Sequence, residues 1–169
     1  MEISRTYQWE RIRKAREISR TRWAPLRFYA ELFVEHSPLD VWSYFTDLAT
    51  WPSWSPICRR CRLSDDQGEL RSGSVLEVSF TIAGVTVTVP CRVMQFDPPK
   101  SITWQGELFG VQATHTYRFV PRNEGTLLCN EETFAGVSFP LNGLIRTWYR
   151  TSRLSETSLQ GIQRALLHD

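Results

Sequence analysis

From Ile57 to Phe134 apolar and polar residues alternate with a period close to two, the pattern of half-buried strands. Leu76, Val78, Phe80 and Ile82 share one face, with Glu77, Ser79 and Thr81 opposite. Val85, Val87, Val89, Cys91 and Val93 repeat the pattern against Thr86, Thr88 and Arg92. Turn residues separate the runs at Ala83-Gly84, Asp97-Pro98-Pro99-Lys100, Phe109-Gly110 and Pro121 to Gly125. Strands joined by turns this short are antiparallel neighbours, and such a sheet can carry one dry and one wet face. Upstream, Leu26 to Glu35 also alternates and predicts a further strand. Ser37-Pro38 follows, an N-cap with proline at the first helical position. It opens a short helix with Val41, Trp42 and Phe45 on its apolar side, and Asp47 is placed to cap a second short helix ending at Trp51-Pro52.

After Gly136 the period turns helical. Leu141, Leu144, Ile145, Trp148, Ser152, Ser155, Leu159, Ile162 and Leu166 fall near one stripe. They predict a single helix of roughly 25 residues, about 37 Å long. Only the dry face of the sheet can accept that stripe. The predicted order is a strand, two short helices, six more strands and one long helix. It implies an α+β protein in which a curved seven-stranded antiparallel sheet wraps around the C-terminal helix.

Residues 1–25 stand apart, with seven basic against three acidic side chains, a net of +4. Ile3, Tyr7, Ile12 and Ile18 are too sparse for an apolar stripe. The segment therefore reads as a basic arm, helical in part, ahead of a domain at 26–169. With Tyr7, Trp9 and Trp23 among the arginines, it suits contact with an anionic membrane surface or a protein, or else a solvated helix resting on the domain.

The remaining composition mostly excludes. A length of 169 residues suits one domain, and 41% hydrophobic with 22% charged residues excludes disorder. The net charge of +2 gives no bulk attraction to nucleic acid, and no DNA-binding motif is present. No apolar run nears the ~18 residues of a membrane span, and the first residues lack the apolar stretch of a secretory signal. A cytoplasmic location is expected. No phosphate loop, Ser/His/Asp order or metal cluster occurs, so neither metal nor cofactor is expected. Cys58-Arg-Arg-Cys61 has half the spacing of a zinc knuckle, but no second pair completes it. Its position at the start of a strand opposes a redox dithiol. Buried apolar thiols are the simpler reading, and the two arginines leave reactivity open.

The order of elements and several short stretches resemble the START-like, or SRPBCC, superfamily, particularly its polyketide cyclase/dehydrase and lipid-transport branch. The matching stretches include Ser37 to Trp42, Trp51-Pro52-Ser53-Trp54-Ser55-Pro56, Asp97-Pro98-Pro99 and Ile102-Thr103-Trp104. Further along they are His115-Thr116-Tyr117-Arg118-Phe119, Gly125-Thr126 and Glu132 to Gly136. The resemblance runs from about Phe28 to Leu166. It implies the helix-grip fold and a START-like ligand-binding domain for lipids, quinones or aromatic polyketides, with catalysis of cyclisation or dehydration in a minority of members.

Strand parity adds candidate chemistry. If Phe119 faces inward, Tyr117 and His115 do too, and Leu128 with Phe134 turns Asn130 and Glu132 inward. Pairing Phe119 with Leu128 sets Tyr117 opposite Asn130 and His115 opposite Glu132, about 5 Å apart at Cβ. An imidazole beside a carboxylate is a potential acid/base couple; equally, the two satisfy one another or orient a ligand's polar end. Expected pocket residues are Trp54, Phe80, Val87, Trp104, Tyr117, Asn130, Phe134, Leu144 and Trp148, with Gly106 leaving room for ligand or helix. The expected function is binding or carriage of a small hydrophobic ligand between sheet and helix. The alternatives are a cyclase or dehydratase using His115 and Glu132, and an adaptor acting through the arm. Oligomeric state is open.

Overall fold

The structure, a computed structural model, describes residues 13–17, 25–64, 68–82, 84–136 and 139–167. Its strands are β1 (Arg13–Glu17), β2 (Leu26–Val34), β3 (Cys58–Leu63), β4 (Val75–Ile82), β5 (Val85–Asp97), β6 (Ser101–Leu108), β7 (Val111–Arg122) and β8 (Gly125–Ala135). Helices α1 (Pro38–Thr46) and α2 (Trp51–Trp54) follow β2; α3 (Phe139–Ser152) and α4 (Leu154–Leu166) follow β8. The described strands form one antiparallel sheet in the order β1-β2-β8-β7-β6-β5-β4-β3. Its seven strands β2–β8 and the C-terminal helices make the helix-grip fold.

Local chemistry explains most boundaries. Ser37 caps α1 by accepting from the Asp40 N–H at 3.2 Å, with Pro38 next in line. Asp47 caps a 3₁₀ turn at Leu48–Thr50, accepting from Ala49 N–H at 3.1 Å. The second helix does not stop at Trp51-Pro52. Pro52 sits in the first turn of α2, where its missing N–H costs nothing, and the helix runs on to Trp54.

Residues 13–17 are a strand, not part of a helix. β1 pairs with β2, setting Arg16 beside Tyr29 and Glu17 beside Phe28. The open edge of β2 supplies a row of backbone donors and acceptors, and this pairing outweighs the weak helical leaning of Arg-Lys-Ala-Arg-Glu. The sheet thereby has eight described strands instead of seven. The rest of the arm, 1–12 and 18–24, lies outside the described residues.

The predicted single C-terminal helix is two helices. Arg153 adopts a left-handed conformation, φ 50 and ψ 38. No glycine or proline marks the break. Instead Thr151 Oγ1 donates to Thr147 O at 2.9 Å and Ser152 Oγ to Tyr149 O at 3.3 Å, which satisfies carbonyls at the end of α3. Arg153 then pairs with Glu156 in the first turn of α4, where an acidic side chain complements the helix dipole.

α4 packs against α1, α2, β2 and β8. Its Gly161 lies so close to the Trp54 carbonyl that a Cβ there would collide with backbone. The main core holds Leu32, Val34, Phe45, Leu76, Ile102, Phe119, Leu128, Leu159 and Ile162. A second cluster joins Leu26 and Phe28 to Tyr149 and Leu154. Among the described residues no helix is long and apolar enough to cross a membrane.

Candidate functional site

The concave face of the sheet is sealed at one end and half-covered at the other. Leu32, Val34, Phe119 and Leu128 are fully buried. Toward the β4–β5 and β6–β7 hairpin turns, the inward Phe80, Val87, Leu108, Val111, Ala113 and Phe134 are only partly buried. Between the two zones lies a polar cluster.

β7 and β8 build it in the expected register: Phe119 beside Leu128, Tyr117 beside Asn130 and His115 beside Glu132. Glu132 Oε1 accepts from Asn130 Nδ2 at 3.0 Å and from Ser155 Oγ at 3.3 Å. Asn130 Nδ2 also donates to Ser155 Oγ at 3.1 Å. From α3, the Tyr149 hydroxyl bonds to Ser155, while its ring stacks on Phe28 at 3.8 Å between centroids. Burial, reinforced by the Glu132 carboxylate, raises the phenols of Tyr117 and Tyr149 well above their ordinary range. Both remain neutral O–H groups at physiological pH.

Two acceptors in this cluster have no hydrogen-bond partner: Glu132 Oε2 and Asn130 Oδ1. Swapping the Asn130 amide ends would set its oxygen against Glu132 Oε1, so the donor assignment follows from the network. His115 Nδ1 lies 3.6 Å from Glu132 Oε2, beyond a good hydrogen bond. The His115 side chain is 28% exposed where Glu132 is 5%, and its ring stacks on Trp104 at 5.3 Å and 9°. The imidazole therefore stands between the buried carboxylate and the half-covered end of the face.

The family model for polyketide cyclase / dehydrase and lipid transport matches residues 25–166. The chain belongs to this family. Solved structures of the same fold include a protein from Thermus thermophilus, with TM-score 0.68 and 16% identity over 84% of this chain and 97% of that one. A START superfamily protein from Mycobacterium smegmatis gives TM-score 0.64 and 17% identity over 83% and 98%. The di-domain ARO/CYC BexL from the BE-7585A biosynthetic pathway gives 0.66 and 17% over 86% of this chain and 50% of that one. At such identities these likenesses establish the fold alone. No curated protein matches the chain.

Within this member of the polyketide cyclase / dehydrase and lipid transport family, the expected site residues divide. His115, Glu132, Asn130 and Tyr117 come together, with Phe134 and Trp148 beside Tyr149. Phe80 and Val87 pair across β4 and β5 on the half-covered face. Trp54 is 5% exposed and packs on Phe45 and Trp51 within the core. Trp104 is likewise buried, held by Phe45, Trp51 and Tyr117. Leu144 is 68% exposed and joins neither zone. Space over Gly106 is already filled: a Cβ there would stand 2.7 Å from Cys91 Sγ.

Sequence reasoning missed Tyr149 and the role of Ser155. The only signal was a serine recurring inside a leucine stripe, which a buried polar partner explains. The cysteines are free and buried. Burial pushes the Cys58 and Cys91 thiols up to about 11 and Cys61 higher still, outweighing Arg59 beside Cys58. A raised thiol pKa means the folded state holds its proton more tightly. Its stabilising effect is thus complete below about pH 9 and is lost as pH rises toward 11. The thiols are expected to resist a disulfide-exchange reagent at neutral pH and to react once urea unfolds the chain. Rapid labelling of the native protein would show that Cys58 and Cys61 are reactive after all.

Proposed function

We propose that this protein is a cytoplasmic carrier or sensor for a small, largely apolar molecule, with an aromatic or polyketide-like ring system bearing a hydroxyl group. The observation that carries this reading is the pair of buried acceptors without donors, Glu132 Oε2 and Asn130 Oδ1, next to a half-covered apolar face. Such acceptors favour a ligand that brings an O–H or N–H. The half-covered Phe80, Val87, Leu108 and Phe134 suit the ligand's apolar body. The family's description and the ARO/CYC name of one structural relative agree with a ring system of this kind.

A second reading rests on the His115–Glu132 approach. An imidazole 3.6 Å from a buried carboxylate can relay a proton to and from a bound substrate, as cyclisation or dehydration requires.

The test is binding of naphthol against its methyl ether, followed by calorimetry. The two share ring and shape, but only naphthol donates. Naphthol is expected to bind roughly tenfold or more tightly, the worth of one buried hydrogen bond. Equal affinities would remove the polar contact from the proposal. If neither binds, and denaturing extraction of protein from its host releases no apolar molecule, ligand binding itself is refuted.

A further inference from the structure

We propose that Tyr149 plugs a phenol-binding subsite from within, and that an entering ligand expels it as α3 and α4 merge into one continuous helix. The proposal rests on the ligand-binding reading above and adds the regulation of that site.

Tyr149 has the chemistry proposed for the ligand, an aromatic ring bearing a hydroxyl group. The ring lies on Phe28 with an interplanar angle of 13° and meets Phe134 edge-on at 6.1 Å between centroids. Ser155 gives its one hydroxyl proton to Glu132 Oε1 at 3.3 Å, so the Tyr149 hydroxyl is the donor in its bond to Ser155. Phe134 also belongs to the half-covered face, which sets socket and face side by side. The plug leaves its socket partly unsatisfied. Glu132 Oε2 and Asn130 Oδ1 have no hydrogen-bond partner while Tyr149 is in place. A ligand whose hydroxyl reaches either atom gains a bond to a buried acceptor that Tyr149 does not make, and this difference lets it displace the side chain.

The two helices are anchored unequally. Over residues 143–152 of α3, Tyr149 is the one buried side chain, whereas α4 holds buried residues along its length from Leu154 to Leu166. Residues of positive φ bracket α3, Gly136 at 74 and Arg153 at 50. An arginine in the left-handed region is strained, and continuation of the helix through Arg153 removes that strain. It also restores the single stripe of Leu144, Ser152 and Leu159, where the broken helix leaves Leu144 68% exposed. The side-chain bonds of Thr151 and Ser152 to carbonyls of the preceding turn occur inside helices as well and do not oppose it. Tyr149 is turned about 100° from Trp148 on a helix and lies beside that stripe, so a continuous helix takes it off Phe28. The segment thus has two packings, a broken helix with the socket filled and a continuous one with the socket free.

Arg153→Ala and Arg153→Gly separate the two states. Both remove the arginine's bond to Glu156, but alanine favours the helical conformation and glycine accepts the left-handed one. The probe is fluorine NMR of the full chain carrying meta-fluorotyrosine, with the Tyr149 resonance assigned by Tyr149→Phe. In the ligand-free protein that resonance is expected to move toward its solvent-exposed position in Arg153→Ala and to stay in place in Arg153→Gly. Saturating the wild type with naphthol is expected to move it the same way. Arg153→Ala is expected to bind naphthol roughly tenfold more tightly than Arg153→Gly. A Tyr149 resonance unmoved by bound naphthol would overturn the plug and leave ligand binding standing. Identical resonances in Arg153→Ala and Arg153→Gly would refute the switch without any ligand. Movement in Arg153→Ala with no naphthol binding to any variant would sink the ligand reading, and the plug with it.

Discussion

Trp104→Ala is expected to lower the melting temperature by about 10 °C, because truncating a buried tryptophan costs about 3–5 kcal/mol. The ring is 5% exposed and is gripped on several sides: Trp51 at 5.0 Å, Tyr117 stacked at 5.6 Å and Phe45 at 6.1 Å between centroids. On its remaining side it carries His115. The neighbours belong to α1, α2 and β7, which are anchored elsewhere, so the cavity left by alanine cannot collapse cheaply. Loss of ligand affinity in this variant would follow from loosening of the core and from a misplaced His115, and would not report a direct contact. Calorimetric melting is the measurement. A loss under about 1 kcal/mol would show that the ring borders an open space instead of a packed one.

Glu132→Gln is expected to leave the fold nearly intact and to weaken binding of a hydroxyl-bearing ligand roughly ten- to a hundredfold. Glutamine retains an acceptor at the Oε1 position, so the bonds from Asn130 and Ser155 persist. At the Oε2 position it replaces an acceptor with an NH₂ donor. A ligand donor then meets another donor, and the attraction becomes a clash. Titration of naphthol against wild type and variant reads the ratio directly. An unchanged affinity would remove Glu132 from the contact. His115→Ala is expected to keep most of its affinity in the same assay under either reading; turnover of a cyclisable substrate by the wild type, lost in this variant, would favour the catalytic one.

Much of the site was legible because strands are locally encoded. Side chains alternate strictly, and a short turn between Arg122 and Gly125 leaves few ways to pair β7 with β8. Once Phe119 and Leu128 are taken as inward, Tyr117, Asn130, His115 and Glu132 have no freedom to be elsewhere. Burial of the large rings was less legible. Trp54 beside prolines looks like a loop residue, but Pro52 belongs to a helix, and Gly161 allows α4 to approach closely enough to cover the ring.

Helical periodicity fails at Arg153 for a related reason. Leu144, Ser152 and Leu159 fit one stripe only if the helix is continuous. The left-handed residue turns the stripe, leaving Leu144 in solvent and bringing in Tyr149 and Glu156. Thr151, Ser152 and Glu156 stabilise that break jointly, and none of them alone is a stop signal.

The sequence by itself determined the strands, their turns, the register of the central pair and the family, because each depends on residues close along the chain or on their order. The tertiary structure alone decided that β1 joins the sheet, that the last helix breaks, and that Ser155, bonded to Tyr149, donates to one oxygen of the Glu132 carboxylate. Those outcomes depend on an open strand edge, on the joint hydrogen bonds of Thr151, Ser152 and Arg153, and on a shared buried acceptor. The first and last are contacts between residues distant in sequence, about which local pattern carries no information.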